Sequence, residues 1–116
     1  MKRLLSTVSL TALFAAAALG AEVQGVITDW DCTQDMVRNG REQTLRKRPS
    51  CSLAQNFRRS AYGLITDDKK LYKIDPQSND RVIQILSDSP SKDSLKVVIS
   101  GDLNGSTLKI TTISIL

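Results

Sequence analysis

Apolar and polar residues alternate most clearly near the end of the chain. There Leu95, Val97 and Ile99 interleave with Lys96, Val98 and Ser100, and Leu108, Ile110, Ile113 and Ile115 follow. A period of two marks a strand with one buried face, so two strands are expected. They are joined through Asn104-Gly105, a pair that favours the positive φ angles of a tight hairpin turn. The apolar phase slips between Ile110 and Ile113, which predicts a bulge near Thr111 and Thr112. Upstream, residues 61–66 and 71–75 flank the polar turn 67–70 and predict a second hairpin, which Pro76 stops. Between the hairpins, Val82, Ile83, Ile85 and Leu86 form the apolar face of a short helix, with Ser78 or Asn79 as its cap and Asp80 in its first turn. Residues 87–94 read as a solvated loop, and residues 23–30, rich in β-branched and aromatic types, as a first strand. Gly25 inside that strand marks a bulge or a close backbone approach.

Residues 31–60 break the pattern. Met36, Val37, Leu45, Leu53 and Phe57 are scattered through charge, which predicts a long loop with helical turns at 35–39 and 52–59, punctuated by Asn39-Gly40 and Pro49. The order strand, long loop, two strands, helix, two strands is that of a mainly β fold. It fits a five-stranded, OB-like, partly open barrel with one short helix between strands 3 and 4. A small α+β sheet carrying the helix on one face is the competing architecture.

The N-terminus carries a different pattern. Lys2 and Arg3 precede an apolar stretch over residues 4–19, broken by Ser6, Thr7, Ser9 and Thr11, which ends in the small residues Ala15, Ala16, Ala17, Ala18, Gly20 and Ala21. This reads as a secretory signal peptide over residues 1–20, cleaved after Gly20 or Ala21. An uncleaved membrane anchor is the alternative, but the apolar core is shorter than the ~20 residues that span a bilayer. No second apolar stretch of that length follows. The expected product is one small domain over residues 21–116, periplasmic or secreted, with no transmembrane segment in the mature chain.

Export changes the reading of the two cysteines, Cys32 and Cys51. In an oxidising compartment they are expected to form a disulfide, closing a loop of about 20 residues and contributing on the order of 3 kcal/mol. The alternatives are metal binding and redox chemistry. A zinc site needs four ligands, and the chain has two cysteines and no histidine; redox pairs are usually spaced C-x-x-C.

Charge is unevenly spread. The chain carries 16 Lys plus Arg against 12 Asp plus Glu, and setting Lys2 and Arg3 aside leaves 14 bases. Seven of them (Arg38, Arg41, Arg46, Lys47, Arg48, Arg58 and Arg59) fall within residues 38–59, where Glu42 is the one acid. Six of the seven are arginine, which suits bidentate contacts with phosphate or carboxylate.

The segments VQGVITDWDC (23–32), SAYGLITDDKKLYKID (60–75) and VVISGDLNGSTLKI (97–110), with Cys51 between the first two, resemble a group of small exported bacterial proteins. Those run G-x-I-x-D-x-x-C, a cysteine-containing loop, a strand hairpin and a terminal hairpin, and are similar in layout to the periplasmic bacterial OB-fold proteins. The resemblance implies architecture more than activity. Many members of that group place a histidine shortly after the first cysteine and a further cysteine after the second. Here Thr33, Gln34, Asp35 and Met36 follow Cys32, and Ser52, Leu53, Ala54 and Gln55 follow Cys51, so no such metal constellation is implied.

Catalysis finds little support. Without histidine there is no Ser-His or Cys-His pair, no glycine-rich phosphate loop sits between strand and helix, and no cofactor is expected. Asp29 and Asp31 are the weak candidates for holding a cation. The expectation is a non-catalytic binding module whose Arg-rich loop meets an anionic envelope polymer, a lipid headgroup or an acidic protein face. Cytoplasmic nucleic acid is not among its expected partners. A structural or protein-interaction role in the periplasm is the alternative.

Overall fold

The computed structural model describes residues 19–59 and 61–116. The leader expected at residues 1–20 lies outside the described residues except for Leu19 and Gly20, whose backbones pair with Leu103 and Asp102.

Five strands, β1 (Leu19–Asp29), β2 (Tyr62–Ile65), β3 (Leu71–Ile74), β4 (Lys96–Asn104) and β5 (Thr107–Ile115), form one mixed sheet that closes into a ring in the order β1-β2-β3-β5-β4. All pairings are antiparallel except β3 with β5, which meet in parallel at Lys73↔Thr107 and Ile74↔Leu108. Closure rests on β1, whose early residues pair with β4 and whose last four pair with β2, the two ladders overlapping at Val26. Gly25 sits beside that changeover, and a Cβ there would fall 2.4 Å from the Ile65 carbonyl oxygen. The glycine therefore marks a close backbone approach.

Alternation fills the interior. Val23 and Ile27 of β1, Tyr62 and Leu64 of β2, Ile74 of β3, Val97 and Ile99 of β4, and Leu108 and Ile110 of β5 form one buried cluster. Helix α3 (Asn79–Ser87) adds Val82 and Leu86, an i, i+4 pair on one face. Its cap differs from the expectation. Ser78 precedes the helix, but its hydroxyl receives the Ile110 N–H at 2.9 Å, so it ties the helix to β5.

The bulge lies where the apolar phase slips. Ser100 faces Thr112 and Gly101 faces Ile110, which leaves Thr111 as the extra residue. Asn104 pairs with Thr107, so the two-residue turn is Gly105-Ser106, with Gly105 at φ +62°.

The long segment after β1 departs most from expectation. Among the described residues there are three short α-helices where one was expected, and the helical turn expected at 35–39 lies within the first of them. Helices α1 (Thr33–Asn39) and α2 (Arg41–Lys47) follow each other directly, separated by Gly40 at φ +87°. Their sparse apolar residues suffice because they share a small second core: Met36 and Leu45 pack with Cys32, Cys51 and the outward side of β2 at Ile65. The helical turn expected at 52–59 is absent. Asp93 accepts the N–H groups of Leu53 (2.5 Å) and Ala54 (3.3 Å) and the Ser52 hydroxyl (2.5 Å), while Leu53 is drawn into the main core.

Gly25→Ala is expected to destabilise the fold by about 1–3 kcal/mol, because the added methyl meets main chain and not a yielding side chain. Urea denaturation checks this, and an unchanged midpoint contradicts the role given to the ring closure.

Candidate functional site: the basic insert

The insert between β1 and β2 is held at both ends. A short 3-10 turn, Trp30–Cys32, follows β1, and a second, Pro49–Cys51, follows α2. A disulfide joins Cys32 to Cys51 with their Cα atoms 5.9 Å apart, and both cysteines are buried. Asp29, the last residue of β1, caps the first turn by accepting the Asp31 N–H at 3.3 Å. Its other oxygen lies 3.1 Å from Arg59 Nη1, and Arg59 Nη2 donates to the Ser50 carbonyl. A covalent link and an ion pair buried on its Asp29 side thus run side by side between the end of β1 and the end of the insert.

The seven bases do not act as one set. Arg59 is the clamp just described, and Arg48 pairs with Asp35 across the α1–α2 turn. Arg58 lies 5.0 Å from the Phe57 ring centroid, with Lys92 at 5.1 Å on the same ring. That leaves Arg38, Arg41, Arg46 and Lys47 on the two helices, without an acidic partner among the described residues. Arg38, Arg46 and Lys47 are exposed and Arg41 is half-buried.

Arg41 and Arg46 border a shallow concavity of about 470 Å³ with Asn39, Gly40, Glu42 and Gln43. Arg41 also borders a second, of about 220 Å³, that includes Lys69 and Asp67 from the β2–β3 turn. Sequence reasoning missed Lys69, which sits more than twenty residues from Arg41. Its position beside α1 follows from Met36 docking on Ile65, a contact with no sequence signal.

Asp29 and Asp31 are put to separate uses. The Asp29 carboxylate is committed to Arg59 and to the Asp31 backbone, while the Asp31 side chain is exposed. Among the described residues no group of three or more acidic, cysteine or histidine side chains is placed to hold a metal. The outer face of β2 is covered as well. Trp30 lies over Gly63, where a Cβ would fall 2.8 Å from Trp30 Cε3, and Met36 covers Ile65. Lys73, the cross-strand neighbour of Gly63, places its Nζ 5.7 Å from the Trp30 ring. Among the described residues no helix is long and apolar enough to cross a membrane.

Burial holds the Asp29 carboxyl above its ordinary 3.8, with the Arg59 charge opposing the shift. Folded Asp29 thus keeps its proton to higher pH than the unfolded chain does. The stability contributed by that proton is complete below the unfolded value and is lost as pH rises through the folded one. Relative to the wild type, Asp29→Asn should therefore melt progressively higher as pH is raised from about 4. A constant difference across thermal scans at several pH values counts against this assignment. No protein-family model matches the chain, and no curated protein or solved structure matches it either.

Proposed function

We propose that this chain is an exported, non-catalytic binding module of OB-like barrel architecture that contacts an anionic envelope component through its basic insert. The ring order β1-β2-β3-β5-β4, with α3 between β3 and β4, supports the architecture. The buried disulfide supports an oxidising compartment. The observation that carries the reading is the division of labour among the bases. Arg48 and Arg59 pair with acids within and beneath the insert and Arg58 rests on its neighbour Phe57, which leaves Arg38, Arg41, Arg46 and Lys47 displayed on two short helices pinned to the body. A patch fixed in place loses less conformational freedom on binding than a mobile loop. With the outer face of β2 covered, the insert is the surface left to meet a ligand on that side.

Exposed charge contacts are individually weak, a few tenths of a kcal/mol each, so affinity comes from their sum and falls as salt screens them past about 0.1 M. Replacing Arg38, Arg41, Arg46 and Lys47 by Gln is expected to weaken binding to phosphatidylglycerol vesicles or to a polyuronate about tenfold, with the melting temperature unchanged. Arg59→Gln is expected to do the reverse, lowering stability more than binding, because it leaves the buried Asp29 carboxylate without its partner. Co-sedimentation across a salt series distinguishes lipid from polymer. Binding indifferent to salt, or to the fourfold variant, sinks the proposal. One observation favours a protein-interaction role: beyond Leu108, among the described residues, no strand lies along the side of β5 facing away from β4.

A further inference from the structure

The outward edge of β5 is managed for two residues and then left open. Leu116 donates its N–H to the Lys96 carbonyl at 2.9 Å. In the antiparallel register Ser100↔Thr112, Val98↔Ser114, the even-numbered residues therefore turn their backbone groups toward β4. The odd-numbered residues turn theirs away. The extra residue at the bulge reverses that parity before it, so Ile110 also faces outward, and there the outward groups have side-chain partners: Ser78 Oγ takes the Ile110 N–H, and Arg81 Nη1 donates to the Thr111 carbonyl at 2.8 Å. Past that point Ile113 and Ile115 present N–H and C=O outward, with no strand beside them among the described residues.

This edge lacks the usual protections. Proteins blunt free edges with lysine, proline or charge, and residues 111–116 contain none of these. Ile115 is 50% exposed. Beside the edge, a concavity of about 410 Å³ separates β5 from α3, lined by Arg81, Gln84, Ile85, Asp88, Thr112 and Ile113.

We propose that this edge is a self-association surface: β5 pairs antiparallel with β5 of a second copy about a two-fold axis at Ile113. Both backbone groups of Ile113 point outward, as a self-pairing central residue requires. Charge selects a second copy over an unrelated strand. Arg81 in α3 and Asp88 at its C-terminal cap both line the concavity beside this edge, one basic and one acidic, so the surface around the edge carries both signs of charge. A second copy brought across the edge by a two-fold axis offers each of these charges its opposite, beside the apolar Ile85 and Ile113. The inserts pack on β2, which β3 separates from β5 in the ring, so both basic patches stay exposed.

Sedimentation equilibrium over a concentration series tests this with the full mature chain. The wild type is expected to associate into dimers. Ile113→Pro removes an N–H that the ring does not use, and Ile115→Lys puts a charge on the edge. Each is expected to weaken association at least about tenfold; Ile115→Lys, at an exposed position, is expected to keep the melting temperature, while Ile113→Pro, whose side chain packs on the core, is expected to keep the circular dichroism at a lower melting temperature. Arg81→Asp and Asp88→Arg are each expected to weaken it, and the combined swap to restore it. A chain that stays monomeric throughout, association indifferent to both edge variants, or a swap that restores nothing overturns the proposal. Salt-dependent binding of the monomeric variants to anionic vesicles is read separately and bears only on the basic insert.

Discussion

The structure depends on one strand being shared by two neighbours. β1 is long enough to complete the ladder of β4 with its first residues and that of β2 with its last. Without that overlap the sheet has two open ends and the apolar residues of β2 and β4 face no common interior. The price is local crowding, met by a glycine where the two ladders run together. Closure also fixes where β1 stops, and the insert starts there.

The insert shows how a segment poor in apolar residues acquires a fixed shape. Two short helices of seven residues each are too short to hold on their own. They are ordered by a buried disulfide, by Met36 and Leu45 packing on Ile65, and by arginines that donate to acidic partners within or beneath the segment. Part of its positive charge thus serves as internal structure, and the part left over is displayed. The clamp at Asp29 and Arg59 sits where burial works against the carboxylate, so the same arrangement that pins the insert also leaves a titratable group under strain from desolvation.

Legibility in the sequence followed local pattern. The hairpins, the α3 apolar face and the bulge at Thr111 were visible because period and phase are local properties. The turn at 35–39 falls within α1, but the full length of α1 and all of α2 were obscured because their packing partner is Ile65, far along the chain. Ser78 reads as a helix cap, but a long-range donor, Ile110, claims its hydroxyl. The stretch at 52–59 reads as helical, yet Asp93 offers its amides a better acceptor. In each case a contact between distant residues overrode a local preference.

By itself the sequence determined the β-rich character, the placement of the strands and the concentration of base between residues 38 and 59, since composition and alternation need no partner to be read. It also supplied two cysteines to bond. Only the tertiary structure decided which arginines hold the insert, that Lys69 joins Arg41, and that the outer side of β5 past Thr111 has no strand beside it among the described residues. These are facts about which surfaces meet. Ring closure brings together residues tens of positions apart, and pairwise geometry at that range leaves no trace in local pattern.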